Sequence, residues 1–146
     1  MGSEVYLTST MKVPLAVLAD AANVSREGKL NIFGIFNRLW AVNFPAQHPQ
    51  MQLVMVFEAD SGEAEQKKIV NVQLMDADGK KILAIEGEFT LPKAQAGHPI
   101  RINHILPLPG IPLPGSGDYE FTVLVNGETK AHVPFSVAQA RPEGAK

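Results

Sequence analysis

Four histidines, one pair of aspartates and one glycine-serine loop are the places where residue types in this chain could do chemistry. Asp76 and Asp78, in Asp76-Ala77-Asp78-Gly79, have the spacing that opens many calcium loops, because two carboxylates two apart can converge on one hard cation. Lys80 and Lys81 follow at once, and no bidentate glutamate closes the loop. The segment therefore reads as a hairpin turn, capped by Asp76 and given its positive φ by Gly79. His48, His98, His104 and His132 never fall at i, i+2 or i, i+4, the spacings that set two imidazoles side by side on a strand or a helix turn. They read as surface or turn histidines, although His104 and His132, both in strands, could converge through tertiary pairing and serve a hydrolase. No Gly-x-Ser-x-Gly elbow is present. Gly115-Ser116-Gly117 opens onto a strand, whereas a phosphate cradle has a helix N-terminus behind it, so it reads as a loop. No catalytic residue, metal ligand or cofactor-binding residue is assigned, and the chain is expected not to be an enzyme.

The elements around these residues are strands. The clearest are in the last third, where Tyr119, Phe121, Val123 and Val125 share one face, and Ala131, Val133, Phe135 and Val137 repeat the pattern after Asn126-Gly127. That is a hairpin with one buried face, and the buried face demands a second sheet to cover it. A second hairpin turns at residues 76–79, with Val70, Val72 and Leu74 inward on one arm and Leu83, Ile85 and Phe89 inward on the other. Residues 12–20 read as a first strand, residues 25–28 as a turn and residues 50–58 as a further strand. Residues 30–42 are apolar on both faces and read as a central strand, with Gly34 marking a bulge or a close approach. Residues 100–106 read as a short strand. After it, residues 107–115 carry four prolines and read as a rigid connection across the end of a sandwich, though they could also dock on a partner as polyproline II. Residues 62–68 form at most one helical turn, for they offer no apolar stripe.

The tally is about eight short strands with turn signals every 8 to 12 residues or so, the pattern of an all-β, immunoglobulin-like antiparallel sandwich. The chain divides into a tag or leader strand at residues 1–10, one sandwich domain at 11–138 and a tail at 139–146. Met1-Gly2-Ser3 looks like a cloning remnant. A start at Met11 would give residues 11–22 a faint likeness to a signal peptide, weakened by Pro14.

A chain of 146 residues can bury a core without staples, and it holds no cysteine, which excludes disulfides and thiolate zinc sites and leans toward a reducing cytoplasm. Thirteen basic and fifteen acidic side chains give a net charge of −2 without a basic stripe, so nucleic acid is not an expected partner. The apolar run at residues 13–19 is far short of the roughly 20 residues that cross a bilayer, and no membrane partner is expected.

Ala19-Asp20-Ala21-Ala22, residues 28–36 (Gly-Lys-Leu-Asn-Ile-Phe-Gly-Ile-Phe), Pro45, residues 76–80 (Asp-Ala-Asp-Gly-Lys) and residues 117–121 (Gly-Asp-Tyr-Glu-Phe) leading to Asn126-Gly127 together resemble a family of small bacterial proteins of unknown function. The resemblance spans residues 12–137. It implies an immunoglobulin-like sandwich and supplies no active site.

The expected role is a non-catalytic binding or scaffold module, with a protein partner or self-association through sheet edges. Residues 4–10 (Glu-Val-Tyr-Leu-Thr-Ser-Thr) form a strand-prone segment that could add to an open edge or merely pack as a tag. The alternative is a small-ligand or carbohydrate-binding sandwich. Its aromatic platform would have to come from Trp40, Tyr6 or Tyr119. Trp40 is expected instead to close the core at a strand end, and Tyr119 to form a tyrosine corner with a nearby carbonyl.

Overall fold

The computed structural model describes residues 11–141. The leader strand, Tyr6 within it and the last five residues of the tail lie outside the described residues.

Nine strands form two sheets: β1 (Lys12–Val24), β2 (Leu30–Phe36), β3 (Arg38–Ala41), β4 (Ala46–Ala59), β5 (Lys67–Asp76), β6 (Lys81–Thr90), β7 (Ile100–Leu113), β8 (Gly117–Val125) and β9 (Glu128–Gln139). One sheet has the order β2-β1-β4-β7 and the other β3-β9-β8-β5-β6. All neighbours are antiparallel except β3 and β9, which run parallel. The chain is an immunoglobulin-like β-sandwich.

The turn chemistry explains the two hairpins. Asn126 and Gly127 take φ of 49° and 83°, the left-handed pair of a tight hairpin turn between β8 and β9. The Asn126 side chain adds a hook, because its Oδ1 accepts from the Ile69 N–H at 2.9 Å. At the other hairpin, Asp76 Oδ1 accepts the N–H groups of Asp78 and Lys80, each at 2.9 Å, and Gly79 turns at φ 82°. The carboxylate is thus engaged by the turn it shapes.

The core fills the space between the sheets. Met51, Leu53, Met55 and Phe57 of β4 face Val72 and Leu74 of β5, Phe121 and Val123 of β8 and Val133 and Phe135 of β9. Phe135 stacks between Tyr119 and Phe121, with ring centroids 5.5 and 5.6 Å away. Each such side chain contributes on the order of 1.5–3 kcal/mol by leaving water. Tyr119 does form the expected corner: its hydroxyl donates to the Gly115 carbonyl and accepts the Gly115 N–H at 3.2 Å.

Residues 30–42 are not a central strand. The chain leaves the first sheet after Phe36, crosses at Asn37 and enters the second at Arg38, so β2 and β3 are the edges of different sheets on one side of the sandwich. The stretch is apolar on both sides because Phe36 and Leu39 pack into the core while Phe33, Ile35 and Trp40, on the opposite sides of the same strands, stay exposed. Gly34 marks the close approach expected of it: at φ 71°, an added Cβ would stand 2.4 Å from the Asp20 carboxylate.

The proline stretch is likewise no loop, for β7 runs through Pro107, Pro109 and Pro112 in an unbroken register with β4. β7 is an edge, and an edge strand is where a sheet tolerates prolines, because one side of it has no ladder to complete. They also blunt that edge against further pairing. The helix-compatible stretch makes one 3-10 turn, Ser61–Glu63.

Candidate functional sites

The histidines do not converge. His104 lies on the inward-facing side of β7, its ring 6.3 Å from that of Phe57, whereas His132 stands on the outer side of the other sheet and pairs with Glu120 at 2.7 Å. The two strands belong to opposite sheets, so a hydrolase site assembled from this pair has no geometric basis. Among the described residues, no group of three or more His, Asp or Glu side chains is placed to hold a metal ion.

Exposed apolar residues are concentrated instead. Phe33 and Ile35 on β2 are 54 and 60% exposed, and Trp40 of β3 is 61% exposed, with Val42 exposed just beyond it. Trp40 was expected to close the core, but strand alternation turns its neighbour Leu39 inward and Trp40 out to solvent. The four residues follow one continuous stretch of chain along the side where it changes sheets.

The first sheet is apolar on its outer side as well. Val54 and Val56 of β4 are buried at 0 and 4% exposure, yet both lie outside the interior cluster to which their neighbours Leu53, Met55 and Phe57 belong. Val17 of β1 and Ile105 of β7 pair with Val54, and Ile35 pairs with Ala19, so the outer surface is aliphatic from β7 across to β2. A sandwich sheet of this kind ordinarily turns polar residues to water. Gln52 interrupts the surface with a buried Oε1 that has no hydrogen-bond partner. The signal was present in the sequence: the run of five apolar residues at 53–57 is too continuous for a strand buried on one face only.

A cleft of about 270 Å³ opens on the opposite side, between β6 and β7, with Phe57, Val72, Ile85, Phe89, His104 and Leu106 among its walls. Apolar surroundings disfavour the imidazolium, so desolvation lowers the pKa of His104 from its ordinary 6.5. The unfolded chain therefore takes up this proton at higher pH than the folded one. The contribution to stability is present above pH 6.5 and is lost as pH falls below it toward the folded-state value. His104→Leu is expected to reduce the loss of stability between pH 8 and pH 5, as about 3 pH units of urea denaturation midpoints would record. An unchanged loss would show that His104 does not titrate differently in the two states.

No curated protein matches the sequence. Among solved structures, the alkylpurine DNA glycosylase AlkC of Pseudomonas fluorescens, bound to DNA containing an abasic site analog, is similar over 89% of this chain, with 16% identity and a TM-score of 0.54. This chain spans only 31% of that protein. An immunoglobulin-like protein from Pseudomonas aeruginosa is similar over 88% of this chain and 97% of its own, with 13% identity and a TM-score of 0.43. Residues 14–138, nearly the whole sandwich, match a family of unknown function, DUF6941, and the chain belongs to that family.

Proposed function

We propose that this protein is a non-catalytic β-sandwich binding module that self-associates through the strand that changes sheets. The observation that carries the reading is the exposure of Phe33, Ile35, Trp40 and Val42 along that one stretch. Phe33 and Ile35 stand on the outer side of the first sheet and Trp40 on that of the second, so large apolar groups of the kind interface cores use flank this edge of the sandwich on both faces. Among the described residues, β2 also has an unpaired edge of seven residues. Two β2 edges meeting antiparallel about a twofold axis would satisfy those backbone groups and bring Phe33 and Ile35 of both copies together. A cytoplasmic setting suits a chain without cysteine.

The carbohydrate reading finds its aromatic platform in Trp40, but two polar side chains beside it turn a donor back to the fold. Arg38 Nε donates to Ser136 Oγ at 3.3 Å and Gln139 Nε2 to the Val42 carbonyl at 3.1 Å. An apolar protein contact uses Trp40 better than a sugar would. The DNA in the glycosylase complex is not carried over, since this chain has a net charge of −2.

Light scattering tests the proposal on the full chain, on residues 11–146 and on the double variant Phe33→Asp, Ile35→Asp. A dimer mass is expected for the first two and a monomer mass for the third. A monomer mass for both unsubstituted chains removes the proposal, and a dimer that needs residues 1–10 transfers the contact to the leader segment.

A further inference from the structure

On the side away from β2 and β3 the sandwich is open, and that opening has the properties of a ligand site. We propose that the cleft between β6 and β7 binds a small, uncharged apolar molecule carrying one hydrogen-bonding group, of the class of medium-chain alcohols and phenols.

The opening has a definite cause in the sequence. Ile85, Gly87 and Phe89 alternate on the inward side of β6, and Ile85 and Phe89 pack against the core while the position between them has no side chain. A Cβ placed on Gly87 would meet no atom within 4 Å. The missing side chain therefore leaves a space between Val70, its partner on β5, and His104 across on β7. Neither edge strand closes it, because among the described residues β6 pairs only with β5 and β7 only with β4.

Size and lining then select the occupant. An apolar cavity of roughly 150 Å³ stays dry and admits benzene, so a cleft of about 270 Å³ has room for a larger ring system or a chain of several methylenes. Its walls are Met55, Phe57, Val72, Ile85, Phe89 and Leu106. His104 is the one inward-pointing polar side chain among the lining residues, and it offers a single ring nitrogen to a ligand head group. Its preference for the neutral form in these surroundings suits an uncharged head.

Charge at the mouth argues against an anion. Glu86 and Glu88 stand at the rim, held on the outer side of β6 by Asn71 at 3.5 Å and Lys67 at 3.3 Å. Lys67 balances Glu88, but the Asn71 amide leaves the charge of Glu86 in place, and that carboxylate repels another. The proposal is independent of self-association, since it uses the opposite edges of both sheets.

Titration of the ¹⁵N-labelled full chain with octan-1-ol, and separately with octanoate, tests it by amide chemical shifts. Octan-1-ol should give saturable shifts on residues 85–89 and 103–106, and octanoate should bind about tenfold more weakly or worse, as one like charge at close range requires. Gly87→Phe fills the space and should abolish the shifts while leaving the rest of the spectrum in place. Three results overturn the proposal: no saturable shift with octan-1-ol up to its solubility, shifts confined to β2 and β3, or octanoate binding as tightly as the alcohol. Binding by Gly87→Phe equal to that of the unsubstituted chain would also overturn it.

Discussion

Lys68→Ala is expected to remove about 3–5 kcal/mol of folding stability, a large share of the roughly 5–15 kcal/mol that holds a domain together. Lys68 occupies an inward position of β5, in line with Val70, Val72 and Leu74, and only 2% of it reaches solvent. An ammonium in such a place survives because Glu63, itself 12% exposed at the side chain, forms an ion pair with it, and Gln66 Oε1 accepts from Nζ at 3.2 Å. The segment carrying these partners is tied to the far end of β6 by the bonds from Glu65 N–H to the Leu91 carbonyl and from Leu91 N–H to the Gln66 carbonyl, at 3.0 and 2.9 Å. Truncating the lysine removes its ion pair with a largely buried carboxylate, and the cost is mostly the lost compensation of that buried charge rather than the worth of the pair. The double variant Lys68→Met, Glu63→Leu removes both charges and should recover most of the loss. Urea midpoints at constant m-value separate the cases. A loss below about 1 kcal/mol for Lys68→Ala would mean that water reaches Glu63 in the folded state and that the pair behaves as a surface one.

That ion pair also marks where sequence reading stops. Short-range chemistry was legible: Asn126-Gly127 and Asp76-Ala77-Asp78-Gly79 each carry their turn in their own residues, and the alternation around them tells which face is buried. Tyr119 was legible for the same reason, because its hydroxyl partner lies four residues away in the chain. Lys68 was not, since nothing in a lysine within an alternating strand distinguishes one that snorkels to water from one closed over by a glutamate five residues earlier. The stretch at 30–42 misled because hydrophobicity on both faces has two causes, and a strand covered on both sides looks the same in sequence as edge strands that leave Phe33, Ile35 and Trp40 exposed. The prolines of β7 misled in the opposite sense. They forbid a central strand and permit an edge, and edge status is a property of the sheet, decided by which strands fail to pair rather than by β7 itself. The same holds for the cleft. Gly87 is an ordinary strand glycine until β7 is placed across from it.

Phe121→Ala should cost about 3–5 kcal/mol, whereas Phe33→Ala should change stability by about 0.5 kcal/mol or less, although both remove the same ring from a strand. Phe121 is fully buried at the centre of the second sheet, with β5 on one side and β9 on the other, and its ring stacks on Phe135. Neighbours held on both flanks by backbone ladders cannot collapse into the space, so the cavity penalty adds to the lost transfer energy. Phe33 stands on an edge with more than half of its surface in water and leaves no enclosed void. The fold thus gives Phe33 little reason to be aromatic, and an interface does: under the proposed association, its removal should weaken the dimer while the urea midpoint measured on dilute monomer stays in place. Measured together, midpoint and association mass assign the two phenylalanines opposite signatures. If Phe33→Ala lowered the midpoint as Phe121→Ala does, the ring would be part of the packing of the monomer, and the exposed stretch from Phe33 to Val42 would lose its standing as a contact surface.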